Sequence, residues 1–274
     1  MGNAASTKYE EEISEDSKDE EDADVEKPFS LIHYDDVVSN PPPMPRSGHR
    51  IFVIDRYMYV IGGFTMDPSP KIFEEIWKLD LTRNCWTKLK IHSQFPRDLA
   101  SFSCCAHENG KFVVYGGTNI PFGADMDPDV YVGQVNDQVT IRKCRATGNR
   151  SGIYGHVMLW DEEKKVYYTV GGTDGQNYGL DVHMLTMTGT EENVKCSWTP
   201  IVTRRKNGMY RMEATLDGGL ILLFGGSNNH TVCDFEEIVV FNTNTGKYES
   251  ITSYPDPAHG FPAARRMKQL ELWK

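Results

Sequence analysis

An all-β chain built from a repeated four-stranded unit is what this sequence predicts, and two observations carry the prediction. Four apolar segments end in a glycine pair: YMYVIGG at Gly62-Gly63, KFVVYGG at Gly116-Gly117, VYYTVGG at Gly171-Gly172 and LILLFGG at Gly225-Gly226, spaced by 54, 55 and 54 residues. Around each pair the same parts recur in one order: a polar loop, a strand, a short turn, the strand ending in the pair, a variable loop and two more strands.

The first unit, about 41–94, reads as SGHRIFVI, a turn at Asp55-Arg56, YMYVIGG, IWKLDL and CWTKLK. The second, about 95–148, turns at Asn109-Gly110. The third runs over about 149–204, and the fourth, about 205–258, turns at Asp217-Gly218-Gly219. Such turns suit tight hairpins because glycine accepts positive φ at little cost. The continuous apolar runs before the pairs predict strands buried on both faces, as where sheets stack radially as the blades of a β-propeller. Without Cβ atoms, the glycine pairs let the backbone turn sharply against the neighbouring unit. No G-x-x-x-x-G-K-[ST] accompanies them, so they read as architecture rather than a phosphate loop. Trp77, Trp86 and Trp198 fall on third and fourth strands, where packing between units is expected.

A partial fifth unit, 259–274, begins with GFPAARRMKQLELWK, and the glycine pair that should follow falls past Lys274. The expectation is a propeller left incomplete at its C-terminal end, the alternatives being that 265–274 close a small ring or that another molecule completes it.

Charge is unevenly placed. Residues 1–40 hold 13 acidic and 3 basic side chains of a chain with net charge −10, which leaves 26 of each sign in the remainder. Residues 1–27 read as a disordered acidic arm ahead of a propeller over 28–274. The arm starts Met-Gly-Asn-Ala-Ala-Ser, the pattern for myristoylation of Gly2. The following EEEISEDSKDEEDADVE repels anionic lipid, so any membrane contact is expected to be weak and reversible. The balanced propeller has no basic stripe, which argues against nucleic acid. Cys85, Cys104, Cys105, Cys144, Cys196 and Cys233 form no closely spaced ligand pairs, so no zinc site is expected. They read as reduced thiols of a cytoplasmic or nuclear protein. No apolar run approaches the roughly 18 residues of a membrane span.

The period, the four strands and the glycine pairs together resemble the kelch repeat. Within the kelch proteins the sequence is similar to the kelch domain-containing protein 10 family. PPPMPRSGHR (41–50), FEEIWKLDL (73–81), FPRDLAS (95–101), GGTNIPFG (116–123), IYGH (153–156) and GFPAARR (260–266) carry that resemblance. It implies a non-catalytic adaptor, the substrate-recognition subunit of a Cullin-2 ubiquitin ligase, whose propeller captures target proteins by their C-terminal tails. It also implies a C-terminal helical box that recruits Elongin and Cullin-2, which would lie downstream of these residues. The alternative is a membrane-proximal or cytoskeletal scaffold. An oxidase of the copper-radical kind needs a Cys-Tyr pair with two histidine ligands, and the eight histidines form no such set. No catalytic residue, metal or cofactor is expected.

In a propeller, the loops entering the first strands and those following the glycine pairs meet at one end of the channel. Alignment on the pairs places Ser47, Ser101, Tyr154, Tyr210 and Arg266 in one column, with Arg211 beside Tyr210 and Arg265 beside Arg266. Phe64, Thr118-Asn119, Thr173-Asp174 and Ser227-Asn228 follow the pairs. The expected peptide site is Tyr154, Tyr210, Arg211, Arg265, Arg266, Ser47, Ser101, Thr173, Ser227 and Asn228. Arginine suits a peptide carboxylate because its planar fork bonds both oxygens. The competing reading is an arginine spent on an ion pair between blades. Gly152 stands where the family pattern has a basic residue. His49 and His156 occupy equivalent positions and are expected to make structural hydrogen bonds.

Overall fold

The computed structural model describes residues 41–264, apart from 94, 137, 149, 191–192, 204–207 and 229. The first unit holds β1 (Arg50–Ile54), β2 (Tyr57–Ile61), β3 (Phe64–Thr65), β4 (Lys71–Ile72), β5 (Ile76–Asp80) and β6 (Cys85–Lys88). The second holds β7 (Ser103–Ala106), β8 (Lys111–Tyr115), β9 (Val130–Val135) and β10 (Val139–Thr147). The third holds β11 (Val157–Asp161), β12 (Val166–Val170), β13 (Val182–Thr190) and β14 (Asn193–Val202), and the fourth β15 (Glu213–Asp217), β16 (Leu220–Phe224), β17 (Glu237–Asn242) and β18 (Lys247–Thr252). Each unit is an antiparallel sheet in chain order, β3 and β4 forming a small separate ribbon. The first strands of consecutive units touch, β1 on β7, β7 on β11 and β11 on β15, so they are the inner strands of a propeller.

Three apolar clusters lie between the units, and strand alternation sorts residues into them. On β8, Phe112 and Val114 pack with Ile61, Ile76 and Leu99 toward the first unit. Val113 and Tyr115 pack with Met158, Tyr167 and Leu185 toward the third. On β12, Val166, Tyr168 and Val170 turn toward Met209, Ile221 and Phe241 of the fourth. The two-sided burial expected of the runs before the glycine pairs is therefore present. Trp198 lies between units as expected, whereas Trp77 and Trp86 are half-buried and outside all three clusters. The Trp77 Nε1–H donates instead to Glu75 Oε1 at 2.8 Å.

The glycine pairs do what their chemistry suggests. A Cβ on Gly117 would meet the Asp98 carbonyl oxygen at 2.0 Å, and one on Gly116 the Ile153 carbonyl oxygen at 2.2 Å. The second glycine of the first three pairs reaches the next unit's entry loop: Gly63 N–H donates to Leu99 O at 2.8 Å, Gly117 to Ile153 at 2.9 Å and Gly172 to Met209 at 2.8 Å. Outer turns are closed by side chains: Asp80 Oδ1 accepts from the Thr82 and Arg83 amides, and Asn242 Oδ1 from those of Asn244 and Thr245.

The second and third units join in a way the repeat does not announce. β10 and β14 run to nine and ten residues, against four in β6 and six in β18. They meet as parallel neighbours, Arg145 opposite Lys195 and Thr147 opposite Ser197, fusing both units into one eight-stranded sheet. Cys144 and Cys196 are disulfide-bonded there, with Cα atoms 6.3 Å apart. This corrects the reading of six free thiols, because the long outer strands bring together two cysteines separated by 52 residues. Cys85, Cys104, Cys105 and Cys233 are free, and burial pushes the Cys105 thiol up to about 11.

Past β18 the described residues form a turn closed by paired amide bonds between Asp256 and Gly260. The expected fifth first strand, Arg265, Arg266, the acidic arm and Gly2 all lie outside the described residues. Among those residues no helix is long and apolar enough to cross a membrane.

Candidate functional site

The two loop sets expected to form a rim do meet. Isolated bridges tie Ser47 to Phe64, Ala100 to Thr118, Tyr154 to Thr173 and Tyr210 to Ser227. Ala100, not Ser101, shares the column of Ser47, Tyr154 and Tyr210. Ser101 falls one residue later, in a column with Gly48, Gly155 and Arg211. All four adopt left-handed backbone, with φ of 57° at Ser101, 63° at Gly48, 66° at Gly155 and 54° at Arg211. That conformation is routine for glycine and uncommon for serine or arginine. A backbone ladder holds it: Ser101 N–H donates to Gly48 O at 2.9 Å, Gly155 to Ser101 at 2.6 Å and Arg211 to Gly155 at 2.7 Å.

Several of the expected site residues are turned into the loops themselves. Thr173 and Ser227 are buried. Thr173 Oγ1 accepts from the Gly175 amide at 3.1 Å, and Ser227 Oγ has no hydrogen-bond partner among the described residues. Asn228 Oδ1 accepts from the His230 and Thr231 amides at 2.8 and 2.9 Å, and Asp174 Oδ1 likewise from Gln176 and Asn177. Ser47 is half-buried and Ser101 buried.

The side chains that come together as a group are aromatic. Tyr154 and Tyr210 rings stand edge to face at 6.3 Å, and Tyr178 meets Tyr210 at 5.0 Å. The Arg211 guanidinium lies 5.4 Å from the Tyr210 ring centre, a cation–π contact. Burial raises the Tyr154 phenol, the neighbouring Tyr178 and Tyr210 phenols add to this, and Arg211 opposes it. Tyr178 was not among the expected residues. It sits on the returning arm of the loop after Gly171-Gly172, bridged to Thr173, where variable loop length hides it from alignment on the glycines. Across the face, Phe122 packs edge to face on Phe64 at 4.8 Å.

The second unit's entry loop has the opposite character. Asp98, Asp125, Asp127 and Asp129 surround a cavity of about 340 Å³ also lined by Arg97 and Lys143. Burial, then the charges of Asp125 and Asp127, raise the Asp98 carboxyl. Arg46, in the loop before β1, is spent inside its own unit: it donates to Glu75 Oε1 at 2.6 Å and to Gly62 O at 3.0 Å.

Nearer the axis, His156 Nε2 and Ser103 Oγ are 2.6 Å apart, both sealed from solvent, and the imidazole is held neutral by burial and by Arg150 and Arg50. This is the structural hydrogen bond expected of His156. Arg50 reaches across to the His156 carbonyl at 3.5 Å and to Glu213 of the fourth unit at 3.7 Å. Among the described residues no group of three or more His, Cys, Asp or Glu side chains is placed to hold a metal ion.

Residues 25–266 match the attractin/LZTR1 β-propeller family. The protein belongs to that family. Its resemblance to kelch proteins is borne out by relatives: kelch domain-containing protein 10 of Rattus norvegicus is 34% identical over 242 residues, covering 82% of this sequence and 56% of the relative. The human protein of the same name is 32% identical over 240 residues, covering 82% and 52%. The sequence thus spans about half the length of the curated relatives it matches. The solved structure of YjhT superposes with a TM-score of 0.58 at 18% identity, covering 75% of this protein and 70% of that one, which supports the propeller fold. This member is a kelch-type propeller of a protein-binding family.

Proposed function

We propose that this propeller is the substrate-recognition part of a Cullin-2 ubiquitin ligase, capturing target proteins by their C-terminal tails. One observation carries the reading: the half-buried Tyr178 and Tyr210 lie against the buried Tyr154, with the Arg211 guanidinium over the Tyr210 ring. Rigid aromatic surface next to a donor fork suits a short peptide ending in a carboxylate. The likeness to kelch domain-containing protein 10 supports the assignment. Elongin and Cullin-2 would join through a segment outside residues 1–274. The proposed location is cytoplasmic, with reversible membrane contact through Gly2. The Cys144–Cys196 bond bears on this, because reducing compartments keep such pairs as thiols.

Glycine-ended peptides with free and amidated C-termini, titrated by fluorescence polarisation, test the reading. Binding is expected only with the free carboxylate, and Arg211→Ala should weaken it about tenfold or more, the scale of a lost charge-assisted bond. Equal affinity for amidated peptides, or none for either, sinks the tail-capture mechanism and leaves a scaffold that holds partners by other surfaces.

A further inference from the structure

The outer end of the junction between the second and third units opens into a cleft of about 910 Å³. Strand length creates it. β13 and β14 run to nine and ten residues against six and six for β17 and β18, so the third unit's outer hairpin extends well past the length the repeat needs. The Cys144–Cys196 bond lies where the apolar junction gives way to this cleft.

The charge of the described lining residues is of one sign. Lys111, Arg142, Lys143 and Lys195 face the cleft, and no carboxylate does among its described lining residues. Lys143 pairs with Asp129 at one side, while Lys111 and Lys195 form no ion pair among the described residues. This concentration of cations stands out because residues 41–274 otherwise balance 26 acidic against 26 basic side chains. Like charges gathered on low-dielectric walls repel one another and raise the local concentration of anions. Thr188 and Asn193 add neutral hydrogen-bonding groups along the same wall.

We infer that this cleft is a docking site for an acidic, extended peptide segment of a partner protein, separate from the rim. Charge complementarity argues for the occupant, and the lining argues for peptide over nucleic acid. Among its described lining residues the cleft has no aromatic ring for bases to stack on, which nucleic-acid binding grooves use. Carboxylates on alternate residues of an extended peptide stand about 7 Å apart, a spacing that lets successive side chains meet separate cations.

The probe is a fluorescein-labelled dodecapeptide of alternating glutamate and threonine, amidated so that a carboxylate-reading rim ignores it, titrated against the full-length protein. Saturable binding is expected, weakening with salt and absent for the glutamine-threonine counterpart. Lys111→Glu with Lys195→Glu should weaken it at least about tenfold, Lys111→Arg with Lys195→Arg should retain it, and Arg211→Ala should leave it unchanged. The proposal is overturned by lack of saturable binding, by unchanged affinity in the double glutamate variant, or by a twelve-nucleotide single strand that binds more tightly than the peptide.

Discussion

The second unit meets its two neighbours through the same pair of inner strands but by different chemistry. Toward the first unit, Phe112 and Val114 pack with Ile61, Ile76, Leu99 and Phe102, and the acidic cavity around Asp98 is lined by the second unit's own entry loop and strands. Toward the third, the apolar cluster is laced with polar groups. The Arg150 guanidinium lies 5.2 and 4.8 Å from the Tyr115 and Trp198 ring centres, and Ser103 bonds His156. Paired outer strands and a disulfide close this second junction, and its mouth is basic. A repeat therefore standardises the inner strands, where each blade must fit the next, and leaves the outer strands to differ.

The contrast can be broken from either side. The largest effect is expected from Phe112→Ala, which empties a fully buried ring site in the first junction. It should cost about 4 kcal/mol in thermal or denaturant unfolding, whether the protein is oxidised or reduced. Cys196→Ser acts on the other junction and should cost about 3 kcal/mol in oxidised protein. Adding dithiothreitol to the unsubstituted protein should reproduce that loss and leave the serine variant unmoved. Equal stability with and without reductant would mean that strand pairing alone closes the second junction.

A smaller effect separates the junctions by pH. His183 is pushed down to about 4 and His156 well below its usual value, in both cases by burial first and Arg150 next. Both stay neutral in the fold, while the unfolded state takes up protons near pH 6.5. The contribution of His183 to stability is thus complete above about pH 6.5 and is lost as pH falls toward about 4, and that of His156 has the same sign. Discounted for partial exposure, His183 accounts for about 1 kcal/mol at about pH 5. Hydrogen exchange should show β11–β14 loosening between about pH 7.5 and about pH 5 before β1 and β2 do. The reverse order would locate the acid-sensitive contacts elsewhere, with His49 the next candidate, since burial pushes it to about 4 as well.

The inner architecture was legible because glycine pairs recur where backbone must approach backbone, and a contact made from one unit to the next, three times over, leaves a periodic trace. Contacts made once leave none. Nothing in TIRKCRAT or NVKCSWTPIV says that these two strands will lie side by side, so Cys144 and Cys196 read as separate thiols. The meeting of the two loop sets was legible in outline, since Tyr154 and Tyr210 bridge to the residues that follow the glycine pairs. Thr173 and Ser227 occupy the expected column but are buried, because the bridges to Tyr154 and Tyr210 turn them inward. Ser101 slipped by one because the β7–β8 hairpin, with Ser103 opposite Tyr115, is a residue longer than the β1–β2 hairpin, with Arg50 opposite Ile61.

The ladder through Gly48, Ser101, Gly155 and Arg211 has a sense of direction. Every link passes from an amide in the later unit to a carbonyl in the earlier one. Among the described residues this leaves a donor at Gly48 and an acceptor at Arg211, unlike ends of one series. Anything that prolongs the series must offer an amide to Arg211 or a carbonyl to Gly48, so growth is head to tail, and a twofold-symmetric pairing of like ends cannot satisfy it.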